Sequence, residues 1–314
     1  MRLARQKLLI AVPLLCASLV CVPAQTQSLP TQSEPPLVKL NVIVTDRTGH
    51  SVDGVRKEDL QLFDDGTPET ISYFSKEELP LMYGLLIDAS GSLKSQFQNV
   101  VEVAKQLVGS NRTEDETFIV KFVDRDKIET LQEQTADKTL LASRLTGLRV
   151  EMGQTALIDA LYLATQYAMK HSTSNRRAAL VLISDGEDRA SYYKEEELFK
   201  LLEKSRLQVF AIGLVSKLDD DRGFIRKSSQ QTATDFLTRL TQKTGGRLCT
   251  LKSPNEISEI VNQITTNLHT EYVIGYRPTK KADKLARKTK VKVVASPDHE
   301  NWTVIIHQLL TAKN

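Results

Sequence analysis

Three short stretches of this 314-residue chain end apolar runs with oxygen-bearing side chains. In "YGLLIDASGS" the run Leu85-Leu86-Ile87 stops at Asp88 and is followed by Ser90, Gly91 and Ser92. In "GQTALIDAL" Gly153 precedes Thr155 at the start of an apolar helical pattern, and in "ISDGED" Asp185 closes another apolar run. These five side chains offer oxygen, with no sulfur and no imidazole. Asp88, Ser90 and Ser92, at alternate positions of one loop, can converge on a single point, because Gly91 lets the backbone turn sharply. Hard divalent cations such as magnesium take oxygen ligands in near-octahedral geometry and keep waters where carboxylates are few. Two carboxylates and three hydroxyls suit that demand and leave a vacancy that a carboxylate from outside can fill. Singly, each residue has a plainer explanation: Asp88 as an acid favoured by a helix dipole, Ser90 or Ser92 as a cap. Five such positions, in order on three strand-end loops, favour the shared site.

The elements that must position them alternate. Between about Pro80 and Asn267 the pattern runs from strand "MYGLLID" to a helix in which Phe97, Val100, Val101, Ala104, Leu107 and Val108 recur at helical spacing. Further strands are expected at "ETFIVKFVD", more weakly near "KIETLQE", and at "AALVLISD", "LQVFAIGLV" and "RLCTL". Helices are expected at "KTLLASRLTGL", about Ala156 to His171, "KEEELFKLLEKSR", "TDFLTRLTQKTGG" and "NEISEIVNQITTNLH". Repeated β-to-α units with nearly uninterrupted apolar strands imply an α/β fold, a doubly wound and mainly parallel sheet covered by helices on both faces. In such a sheet ligands bind beyond the carboxyl ends of the strands, near the topological switch point, which is where the three loops fall.

The flanks read as β. "LVKLNVIVTD" alternates in part, and "LQLFDDGTPETISYF" reads as two strands joined at Asp65-Gly66, a strong hairpin signal. The tail returns to β in "EYVIGYRP", "TKVKVVAS" and "WTVIIHQLL". Three short strands at either end are too few for independent stability, so the two sets are expected to build one small β-sandwich. The expected boundaries are a signal peptide over 1–24, a flexible proline-rich linker over 25–36, an amino-terminal β segment over 37–79, an α/β domain over 80–268 and a carboxyl-terminal β segment over 269–314.

"DASGS", Thr155 and Asp185 together resemble the metal-ion-dependent adhesion site of von Willebrand factor type A domains, whose pattern is Asp-x-Ser-x-Ser with a separate Thr and a separate Asp. The resemblance runs over about residues 80 to 267. The flanks, in "VIVTDRTGHSVDGVRKEDLQLFDDG" and "EYVIGYRP", are similar to a secreted bacterial group called the VWFA-related Acidobacterial domain family, which has no well-defined function. The resemblance implies a Rossmann-like sheet and a metal held by Ser90, Ser92 and Thr155, with Asp88 and Asp185 binding directly or through water. The implied metal is Mg2+, with Mn2+ or Ca2+ as alternatives. It also implies a protein partner that presents an Asp or Glu as the sixth ligand, in adhesion or assembly. A structural envelope component with a fold-stabilising metal, and a Mg-dependent hydrolase, stay open as alternatives. Against the hydrolase, Ser90 stands where a dehalogenase-like phosphatase wants its second Asp. The three loops hold no His, and no nucleophile elbow, phosphate-cradling glycine loop or dinucleotide fingerprint is present.

Composition sets the surroundings. Arg2, Arg5 and Lys7 precede an apolar run from Leu8 to Val22, and Val22-Pro23-Ala24 fits a small-residue cleavage pattern, so export to the periplasm or the cell exterior is expected. Removing that leader lowers the basic residues from 42 to 39, against 39 acidic ones. Zero net charge gives no footprint for nucleic acid. Cys16 and Cys21 leave with the leader, and Cys249 has no partner within its own chain, so the exported protein must hold without an internal disulfide. Cys249 lies in an apolar strand and is expected to be buried. Glu187 and Asp188 are expected to face solvent, and Asp219-Asp220-Asp221 reads as a solvated loop. The basic run from Lys280 to Lys292 reads as an exposed hairpin loop.

Overall fold

The apolar alternation in "VKLNVIVT" calls for a strand with one covered face. In the computed structural model, which describes residues 35–47, 51–77, 80–173, 176–205, 207–214, 229–279, 289–294 and 299–307, that stretch is β1 (Val38–Thr45). It is followed by β2 (Leu60–Asp64), β3 (Thr67–Glu69) and β4 (Tyr73–Glu77). The β2–β3 turn has positive φ at both Asp65 (47°) and Gly66 (79°), the conformation that matches the strand twist of a two-residue hairpin and that Asp-Gly adopts at low cost. The second arm does not continue through "ETISYF" as one strand. It breaks after Glu69, because Ile71 is buried, and the chain passes to another sheet, with the Ser72 amide donating to the Gly275 carbonyl at 2.8 Å.

The α/β region contains β5 (Leu81–Asp88), α1 (Phe97–Gly109), β6 (Glu116–Phe122), β7 (Ile128–Thr135), α2 (Lys138–Thr146), α3 (Leu157–His171) and β8 (Arg177–Ser184). It continues with α4 (Glu195–Ser205), β9 (Gln208–Leu214), α5 (Ser229–Thr244), β10 (Leu248–Leu251) and α6 (Ile257–His269). Its sheet has the order β10-β9-β8-β5-β6-β7. All neighbours are parallel except β6 and β7, so the weak "KIETLQE" signal is an antiparallel edge strand. Every residue of β5 is buried, as a central strand covered on both faces requires. Leu81, Tyr83, Leu85 and Ile87 pack with α1, α2 and α6, whereas Met82 and Leu86 pack with α3, α4 and α5. The chain leaves β5 for β6 through α1 on one face and reaches β8, on the other side of β5, through α3 on the opposite face. The switch point therefore lies at the carboxyl end of β5, where Asp88 is.

The chain closes with β11 (Glu271–Tyr276), β12 (Thr289–Val293) and β13 (Thr303–His307). These pair with the amino-terminal strands in two antiparallel sheets, β13-β1-β11-β4 and β12-β2-β3. Both sheets contribute to one apolar cluster that includes Leu40, Val42, Val44, Leu60, Leu62, Ile71, Tyr272, Ile274, Tyr276 and Val291. The pairing of the two ends of the chain is the one that too few strands at either end demand. The expected leader, Asp219-Asp220-Asp221 and most of the basic run lie outside the described residues. Among the described residues no helix is long and apolar enough to cross a membrane.

Candidate functional site

Asp88 is the last residue of β5 and is wholly buried. One carboxylate oxygen, Oδ1, accepts the Ser90 amide at 2.9 Å, and Oδ2 accepts the Ser184 hydroxyl at 2.8 Å. Ser90 begins a single turn of 3-10 helix over Gly91–Leu93, pinned underneath by the fully buried Leu93. That turn brings the Ser90 and Ser92 hydroxyls to 3.0 Å from each other, with Ser90 buried and Ser92 exposed.

The loop carrying Thr155 is registered against this turn through the backbone. The Glu151 amide donates to the Ala89 carbonyl at 2.9 Å, and Ser90 and Glu151 form an isolated parallel bridge. The Glu151 carboxylate is held in turn by the nearly buried Lys121, at 2.7 Å. Thr155 is buried, and its carbonyl accepts the amides of Arg189 (2.8 Å) and Ala190 (3.1 Å), which joins its loop to the one that follows β8. Asp185 opens that loop, half-buried, and accepts the Glu187 amide at 3.1 Å. Gly186 takes φ 84°, which an L side chain rarely adopts, and its amide donates to the Ser184 hydroxyl at 3.0 Å.

The electrostatics set this cluster apart from a helix cap. Burial pushes the Asp88 carboxyl up to about 7, and the neighbouring charge of Asp185 pushes the same way; only the bonds from Ser90 and Ser184 oppose them. A cap acid is stabilised in its charged form, whereas this acid is destabilised in it. The fold thus holds two like charges near each other at the end of its central strand. Among the described residues no group of three or more His, Cys, Asp or Glu is placed to hold a metal. The donors gathered here are two carboxylates and hydroxyls.

Of the five residues singled out by the sequence, Asp88, Ser90 and Ser92 are linked by direct hydrogen bonds, Asp185 lies near enough for its charge to act on Asp88, and Thr155 is joined to the neighbouring loops through backbone bonds. Sequence reasoning missed the supports. Ser184 bonds Asp88. Asp159 accepts the amides of Tyr192 (2.9 Å) and Tyr193 (2.8 Å). A lone acid in the apolar helix start "ALIDAL" was the available signal. Asp188 and Glu187 do not simply face solvent. Asp188 is half-buried and accepts both the Ile158 amide (3.1 Å) and the Ser191 hydroxyl (2.6 Å), which ties the loop after β8 to the first turn of α3. Glu187 pairs with Arg189 at 2.6 Å. Cys249 is buried, as its apolar strand implies.

An open α/β sheet with acids and hydroxyls gathered at its switch point defines the class. The family model for the von Willebrand factor type A domain matches residues 84–263, more than half of the chain, and the chain belongs to that family. Proteins of this family generally mediate protein–protein adhesion or assembly. No curated protein matches. Solved structures with a similar fold include BatB from Bacteroides thetaiotaomicron (17% identity, 60% of this chain and 98% of that one, TM-score 0.45). A von Willebrand factor type A protein from Catenulispora acidiphila is 11% identical over 90% of this chain and 74% of its own, with TM-score 0.48. The manganese-loaded TRAP protein of Plasmodium vivax is 14% identical over 75% of this chain and 96% of its own, with TM-score 0.47.

Proposed function

We propose that this chain is an exported, non-catalytic binding module that captures the carboxylate of a protein partner through a divalent cation, Mg2+ in the first instance. Ser90, Ser92 and Thr155 would supply hydroxyl oxygens, with Asp88 and Asp185 binding directly or through water. Residues 80–268 form the binding domain, inserted between β segments 37–79 and 269–314, and the leader over 1–24 directs export. The observation that carries the reading is the buried Asp88 beside Asp185: a hard cation would offset a burial penalty and a like-charge repulsion that the bonds from Ser90 and Ser184 relieve only in part. The donor set is all oxygen and counts five side chains, one fewer than an octahedral cation takes, which supports an outside carboxylate as the completing ligand. When bound, the cation supplies the positive charge that attracts that carboxylate. The chain's own residues supply a rigid cradle. Lys121 holds Glu151 and so the register of two loops, and Asp159 and Asp188 hold the third.

The test is a calorimetric Mg2+ titration of wild type and Asp185→Ala, followed by capture from envelope extract on each immobilised protein with and without EDTA. A 1:1 titration in wild type alone, with a partner released by EDTA, supports the proposal. Mg2+ binding that raises thermal stability without any EDTA-sensitive partner would favour a structural role for the metal. Equal titration by both proteins would remove the site assignment.

A further inference from the structure

The large apolar side chains most open to solvent, among the described residues, are Met152 (82% exposed) and Tyr192 (71%). Both belong to the loops of the candidate site. The Met152 sulfur lies 3.5 Å from where a Cβ on Gly91 would stand, so it covers the turn between Ser90 and Ser92. Tyr192 lies two residues beyond Ala190, whose amide bonds the Thr155 carbonyl. Both apolar side chains therefore stand on loops that carry the constellation.

Tyr192 is exposed yet firmly held. Its amide and that of Tyr193 are fixed by Asp159, its ring meets the Tyr193 ring edge-on at 5.5 Å, and Tyr193 stacks on Tyr162 of α3 at 3.8 Å. The Arg125 guanidinium lies 5.9 Å from the Tyr192 ring centre and donates twice to the Ala190 carbonyl, at 3.1 and 2.9 Å. Its charge is met by a ring, a carbonyl and the field of the adjacent Asp124 carboxylate, which also accepts the Arg125 backbone amide at 2.8 Å. An aromatic ring already fixed in place costs little further entropy on binding, and Tyr, Met and Arg are the residue types enriched at the centres of protein interfaces.

We propose that Met152, Tyr192 and Arg125 form the specificity rim of the site. They would receive a partner loop in which the captured Asp or Glu stands next to an apolar or aromatic residue. This inference rests on the metal-dependent reading above, and adds to it the side chains that choose among acidic partners. Carboxylate capture alone is a point contact that any exposed acid satisfies. Selection then has to come from the surrounding surface, to which these three side chains contribute the large apolar area and a cation.

The probe is a displayed random heptapeptide library selected on the immobilised full chain in Mg2+, in parallel on wild type, Asp185→Ala and the double variant Met152→Ser with Tyr192→Ser. Wild type is expected to enrich peptides with an acid beside an apolar residue. The double variant should enrich acids without that neighbour, and Asp185→Ala should enrich neither. The best wild-type peptide should lose about tenfold or more in affinity to the double variant, as expected for removing an interface anchor. Unchanged melting and Mg2+ titration of the double variant would show the site intact, since both replaced side chains are exposed. Acidic peptides without an apolar neighbour on wild type would overturn the rim while leaving metal capture standing. Apolar peptides enriched equally on wild type and Asp185→Ala would overturn metal capture instead. No enrichment on any arm, or a concentration-dependent dimer of wild type abolished in the double variant, would overturn the proposal, the second by making the rim a contact between copies.

Discussion

Replacing Asp88 by Asn should make the metal-free protein more stable and the metal-treated protein unresponsive. A buried carboxyl held at about 7 instead of its ordinary 3.8 costs the folded, metal-free state about 4 kcal/mol above pH 7. The sign follows from the direction. The folded state binds this proton more tightly than the unfolded chain, so the penalty is absent below the unfolded value, grows as pH rises from about 4, and is complete above about 7. Asn keeps an acceptor for the Ser90 amide but presents an amide nitrogen to the Ser184 hydroxyl, which must turn; that mismatch returns about 1–3 kcal/mol. The expected net gain is roughly 2 kcal/mol in EDTA at pH 8, or a rise of roughly 4–8 °C in Tm for a domain of this size. The gap should close near pH 5, where much of the wild-type penalty has gone. In millimolar Mg2+ the order should reverse, as wild type gains roughly 3 kcal/mol at a hundredfold excess over Kd and Asp88→Asn gains little. Differential scanning fluorimetry at both pH values, with EDTA and with Mg2+, reads all of these outcomes. An Asp88→Asn protein that melts below wild type in EDTA and responds equally to Mg2+ would refute the reasoning.

Gly84→Ala should cost about 1–3 kcal/mol in urea unfolding, because the new methyl would meet the Phe118 ring of β6, and adding Phe118→Leu should recover part of the loss. Asp159→Ala should speed amide exchange at Tyr192 and Tyr193 and cost about 1–3 kcal/mol through two orphaned amides; unchanged exchange would show that the loop holds without it. At the opposite end of the sheet, burial opposes ionisation of Asp115, but the bonds from His269 and from the Leu81 and Arg112 amides prevail and hold its carboxyl below the usual range. Its contribution is therefore present above the ordinary carboxyl value and lost as pH falls through the lowered one. Asp115→Asn should lower the urea midpoint at pH 7 and differ less from wild type near pH 3, and a constant difference would contradict the assignment.

The α/β layers and the strand-end positions of Asp88 and Asp185 were legible because β5 and β8 carry unbroken apolar runs that end in Asp88 and Ser184-Asp185. The hairpin at Asp65-Gly66 was legible for a similar reason, since two positive φ values demand those residue types. The exit of the chain after Glu69 was not, because Ile71 fills a core shared with strands some 200 residues away, and the Ser72 amide that follows bonds Gly275 of one of them. The supports of the site were hidden for the same cause. Asp188 bonding the first turn of α3, Lys121 fixing Glu151 and Tyr193 stacking on Tyr162 are long-range pairings that no local spacing encodes.

Manganese-soaked crystals measured for anomalous scattering test the central claim most directly, because the signal locates the ion itself. The account predicts one strong peak at the carboxyl end of β5, ringed by the oxygens of Ser90, Ser92 and Thr155 with Asp88 and Asp185 bound directly or through water, and absent from Asp185→Ala crystals. A wild-type crystal with no peak there, or with manganese held by other side chains, would contradict it.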